Sequence, residues 1–159
     1  MRLQANGQSK TLSGHAHLDH SRSNTLLPDV ADCWLRFRGF TGGAPLLLQV
    51  RVPPDGAPTG WSWPLSDAAP HSVTAADIVA VLSSTGQPQL SVDGITVTPG
   101  AQIYRYRPTE SYGALGRLAA PWIGDPTTTT YSASATVDGA TVRGILEVSQ
   151  IVSDGCTAQ

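Results

Sequence analysis

The pattern Val-Asp-Gly-x-Thr-Val occurs twice, at 92–97 and at 137–142, and no other feature constrains the fold as much. Asp-Gly between β-branched residues is a hairpin signal. A two-residue type I′ turn needs φ > 0 at both central positions, and Asp and Gly adopt that conformation at low cost. Each copy is therefore expected at the tip of an antiparallel hairpin. A match this short is better explained by convergence on a favourable turn than by an old duplication.

The flanking segments support the same class. Cys33, Leu35 and Phe37 alternate with Trp34, Arg36 and Arg38, and after the Gly-rich stretch GFTGGA, Leu46, Leu48, Val50 and Val52 alternate with Leu47, Gln49 and Arg51. Period-two alternation gives a strand one apolar and one polar face, so these segments read as a hairpin with a longer loop. In 102–107, Ile103, Arg105 and Arg107 alternate with Tyr104 and Tyr106. A long C-terminal hairpin is expected over 129–152. Its outgoing strand alternates Ala133, Ala135 and Val137 with Ser and Thr, and Val142, Leu146, Val148 and Val152 line one face of its return strand.

One helix is expected, at about 74–84. Thr74 stands as its N-cap with Asp77 three residues on, Gly86 follows its end, and Ile78, Val79, Val81 and Leu82 form an apolar stripe. Residues 113–119 support at most a helical turn. Residues 1–30 are polar and without sustained period, which reads as an extended arm or a set of loops laid over a partner or over the outside of its own domain. The expected fold is mainly β, an antiparallel β-sandwich or barrel with one short helix. The arm, 1–30, precedes a β domain, 31–159.

A chain of 159 residues is long enough for a single well-buried core. Charged residues make up only 14%, against about 25% in ordinary soluble domains, and the formal net charge of −2 argues against bulk or sequence-specific nucleic-acid binding. The basic residues are nine arginines and Lys10. Arginine is favoured at protein contacts and bidentate pairings, though a GC-rich genome gives the same bias. Cys33 and Cys156 are the two cysteines. Free buried thiols are the favoured reading, with a single disulfide as the alternative. The start MRLQANGQSK has no apolar leader core, and no run reaches the length of a membrane span. Synthesis in the cytoplasm without a membrane partner is the expectation.

The segment HAHLDH, His15 to His20, holds three of the four histidines. Its spacing, H-x-H-x-D-H, resembles the metal-binding signature of the metallo-β-lactamase superfamily. That resemblance would give His15 and His17 to one zinc and Asp19 and His20 to a second, with a metal-activated water as nucleophile. The surroundings do not match. QSKTLSG stands where the family has an apolar strand, His71 is the only further histidine, and the motif lies too near the start. A narrower metal role remains. An H-x-H pair on an extended strand directs both imidazoles to one face, and three such pairs about a threefold axis, as in trimeric phage spike tips, would supply six nitrogens to a structural ion. Such an ion would tie an oligomer together.

Two further groups stand out. Trp61 and Trp63, with Trp122 as an addition, could form a stacking platform for a sugar; the alternative is packing in the core or at a subunit contact. Arg36, Arg38 and Arg51, joined by Arg105 and Arg107, fall on sheet faces, where they would meet an acidic partner or face solvent beside acidic side chains. Motifs for catalysis are missing: no phosphate-binding glycine loop, no G-x-S-x-G elbow, no C-x-x-C pair, and only Glu110 and Glu147 as glutamates. The chain is expected not to be an enzyme.

The leaderless start, the polar arm, the low charge, the Thr/Ser/Gly-rich ribbons and the long terminal hairpin together resemble virion proteins of tailed bacteriophages, such as head-decoration or tail and fibre components. The resemblance implies a structural subunit of the virion, self-associating as a homo-oligomer (a trimer being one form) and binding other virion proteins, with no cofactor beyond the structural ion above. The alternative is a carbohydrate-binding β-sandwich module using Trp61 and Trp63.

Overall fold

The computed structural model describes residues 2–5, 7–11, 13, 24–41, 44–63, 71–82, 87–111, 113–123, 126–151 and 156, with residues 2–5, 81–82 and 119–123 described by backbone alone. Strands β1 (Arg2–Ala5) and β2 (Gln8–Thr11) form a separate two-stranded hairpin, and α1 (Leu27–Val30) is a single helical turn. The strands that follow are β3 (Cys33–Thr41), β4 (Ala44–Val52), β5 (Thr59–Trp63), β6 (His71–Val73), β7 (Ile78–Leu82), β8 (Pro88–Val92) and β9 (Ile95–Tyr106). Helices α2 (Pro108–Ser111) and α3 (Ala114–Ile123) then lead into β10 (Thr127–Val137) and β11 (Ala140–Gln150).

Strands β3 to β11 form one nine-stranded antiparallel sheet in the order β6-β5-β4-β3-β11-β10-β9-β8-β7. The two end strands, β6 and β7, are consecutive in the chain and joined only by residues 74–77. In a flat sheet they would lie eight strand spacings apart, roughly 38 Å. The linker spans at most about 18 Å. The sheet must therefore curl until its ends approach, and it becomes a nearly closed barrel. The approach is visible at Gly60 of β5, where an added Cβ would lie 2.8 Å from Ile78 Cδ1 of β7.

The alternation expected from the sequence sets the two faces. Cys33, Leu35, Phe37, Leu46, Leu48, Val50, Val142, Leu146 and Val148 are buried inside the barrel with Leu90 and Val92. Both Asp-Gly tips are as expected. Asp93 and Gly94 have φ of 55° and 74°, and Asp138 and Gly139 have 50° and 77°. Gly94→Ala and Gly139→Ala leave no steric clash yet force a side chain into the left-handed region. Each is expected to lower stability by about 1 kcal/mol, measurable by urea unfolding.

Four expectations are corrected. The helix at about 74–84 is absent: a 3-10 turn at Ala75–Asp77 runs straight into strand β7. The Thr74–Asp77 pair does form, Thr74 Oγ1 donating to Asp77 Oδ2 at 2.5 Å, but it closes one turn only. A five-residue apolar run fits either period. Pairing with β8, Ile78 opposite Val92 and Ala80 opposite Leu90, decides for the strand. Ile78 and Ala80 then face inward and Val79 outward.

The stretch expected to hold at most a turn at 113–119 is instead the ten-residue helix α3. Gly116 and Pro121 weigh against a helix, but Ala114, Leu115, Leu118, Ala119 and Ala120 are strong helix formers. Within the arm, whose sequence carries Asn6-Gly7, β1 and β2 pair from Arg2–Thr11 to Ala5–Gln8, with Gly7 at φ 75°. This is the same type of turn signal as Asp-Gly, here in a polar context. Lastly, Cys33 and Cys156 are joined in a disulfide, Cα–Cα 5.2 Å. It fastens residue 156 to the first residue of β3, beside the end of the barrel where Ile151 N–H donates to the Asp32 carbonyl.

Candidate binding face

The barrel's inner side holds the apolar core, and the candidate site lies on its outer side. The register places three rows across neighbouring strands. Ser149, Trp34, Arg51 and Thr59 form the first; Glu147, Arg36, Gln49 and Trp61 the second; Ile145, Arg38, Leu47 and Trp63 the third. All five of the interface or sugar-platform candidates, Trp61, Trp63, Arg36, Arg38 and Arg51, thus share one face of β3, β4 and β5. They do so because each alternates with an inward residue: Leu35 and Phe37 on β3, Val50 on β4, Ser62 on β5.

Trp61 is 36% exposed and Trp63 half-buried, so neither belongs to the core. With Leu47 and Gln49 they line a shallow groove of about 170 Å³. Its lining is two indole rings, an aliphatic side chain and one amide. Arg51 stands on β4, the strand of Leu47 and Gln49, and Arg36 and Arg38 stand on the adjacent β3. Arg38 donates to Glu147 Oε1 at 3.5 Å, with both side chains partly buried. Arg51 Nε and Thr59 Oγ1, on cross-strand partners, are both buried and make no hydrogen bond.

Trp34 was not singled out in the sequence. It shares the row of Arg51, and its alternation with Cys33 and Leu35 was the available signal. Arg105 and Arg107 do not join the Trp–Arg face; they lie on the exposed far half of β9 and just beyond it. His15 and His17, with the other residues of HAHLDH, lie outside the described residues, as does the side chain of Trp122. Among the described residues no group of three or more His, Cys, Asp or Glu side chains could hold a metal, and no helix is long and apolar enough to cross a membrane.

The second notable surface is an edge. Strand β8 pairs with β9 only at residues 95–97, whereas β10 pairs with β9 out to Tyr106. Residues 98–106 are therefore hydrogen-bonded on one side only among the described residues. This free edge exposes Ile103 (60%), Tyr104 (58%) and Tyr106 (43%), the two tyrosine rings stacked with centroids 6.4 Å apart. Helix α3, following in sequence, exposes Leu115 and Leu118 as well. No known family, curated protein or solved structure matches this chain.

Proposed function

We propose that this chain is a non-enzymatic structural subunit that self-associates and binds neighbouring subunits through its strand edges, as a virion component of the tailed-phage kind. The observation that carries the reading is the edge of β9 at residues 98–106, which pairs on one side only among the described residues. An unpaired strand edge with large exposed apolar side chains is a template for adding another strand. Soluble proteins ordinarily blunt such edges with charge, proline or a cover. Here Pro99 blunts the start of the edge, and beyond it the stretch from Ala101 to Tyr106 presents a single charge, Arg105, beside Ile103 and two tyrosines. The Cys33–Cys156 disulfide suits a particle exposed to an oxidising medium.

Sedimentation of the purified protein at micromolar concentration tests the reading. An oligomer is expected. Ile103→Lys combined with Tyr104→Lys should raise its dissociation constant at least tenfold while leaving the melting temperature nearly unchanged, since both side chains are exposed. A strict monomer in the unmodified protein would sink the proposal.

A second reading, a carbohydrate-binding module, is favoured by the groove between Trp61 and Trp63.

A further inference from the structure

We infer that the outer face of β3, β4 and β5 is a binding site for an acidic polysaccharide, a chain of uronate-type sugars. The inference rests on the carbohydrate-binding reading and is independent of assembly through β9. Two features of the ligand are matched by two features of the face. A pyranose ring has an apolar C–H side and a rim of hydroxyls. The groove offers Trp61, Trp63 and the aliphatic Leu47 for the first and the Gln49 amide for the second. A uronate adds a carboxylate. Arg51 stands diagonally across the strand pair from Trp61, at the spacing of about 7–8 Å that long side chains bridge. The planar guanidinium fork fits a carboxylate with two parallel hydrogen bonds.

Charge complementarity selects the acidic class. Among the described residues this face carries three arginines, Arg36, Arg38 and Arg51, and one carboxylate, that of Glu147 in the neighbouring strand, in a chain whose net charge is −2. Single-stranded nucleic acid shares the aromatic and anionic chemistry, but it needs a cationic track along its backbone. Here the cations cluster on two adjacent strands, and one of them, Arg38, is already paired with Glu147.

The test is isothermal titration of the full chain with three probes: hexagalacturonate, neutral cellohexaose and hexathymidylate. Hexagalacturonate is expected to bind at least tenfold more tightly than either other probe and to weaken as salt is raised. Trp61→Ala and Arg51→Gln should each weaken it at least tenfold, and Arg51→Lys, which keeps the charge without the fork, should recover only part of the loss. Melting curves of the variants exclude unfolding as the cause. Equal or tighter binding of cellohexaose overturns the acidic class while leaving a sugar site in place. Tighter binding of hexathymidylate overturns it in favour of nucleic acid. Binding of none of the three ends both this inference and the carbohydrate reading.

Discussion

Gly144→Ala is expected to lower the free energy of unfolding by about 3 kcal/mol or more. An added Cβ at Gly144 would press directly on the carbonyl oxygen of Arg38 and lie 2.7 Å from the Gly39 Cα, all of it backbone. A side chain could rotate away from such a contact; a paired strand cannot. Strand β11 must then separate from β3 at the Gly144–Gly39 pair, near the middle of the sheet order, where the loss spreads to Phe37 and Val142 in the core. Gly113→Ala is the control, because nothing lies within 4 Å of its added Cβ. Urea unfolding of the two variants side by side decides the matter. If Gly144→Ala unfolds at the wild-type midpoint, the close β3–β11 pairing is not as described.

Opening the Cys33–Cys156 bond is expected to cost about 2–4 kcal/mol. The bond closes a loop across a sequence separation of 123 residues. A crosslink that long removes much of the unfolded chain's freedom, and both sulfurs sit in the buried core cluster. For a chain of this size the loss is on the order of 10 °C in melting temperature. Reduction, or Cys156→Ala, should produce it, as read by thermal unfolding with and without reductant. Thiol titration of the denatured, unreduced protein should find no reactive cysteine. Two reactive thiols before reduction would show that the pair does not form.

Much of the sheet can be read from local pattern. Cys33 to Arg38 and Leu46 to Val52 alternate strictly, and their faces follow at once. The Asp-Gly pairs announce their turns because the conformational demand falls on two adjacent residues. The candidate face was legible in part for the same reason: Trp61 and Trp63, or Arg36 and Arg38, share a face by parity alone. That Arg36, Arg38, Arg51 and the two tryptophans stand side by side depends on the order and register of β3, β4 and β5, which parity does not encode. Ile78 to Leu82 departs from the expected helix because five apolar residues suit a helix stripe and a strand equally, and only the neighbouring β8 settles the choice. The free edge of β9 was invisible for a related reason. Its exposure comes from β8 pairing with β9 only at residues 95–97, a fact about pairing and not about the residues 98–106 themselves.

The sequence by itself determined the antiparallel β class, the two Asp-Gly hairpins and the division of β3, β4, β10 and β11 into an apolar and a polar side, because these depend on neighbours one or two residues away. Tertiary structure alone decided the closure of the sheet, the β7 strand, the Cys33–Cys156 bond and the gathering of the Trp–Arg face. Each of these joins residues far apart in the chain, and their energies depend on which strands lie next to one another once the barrel has formed.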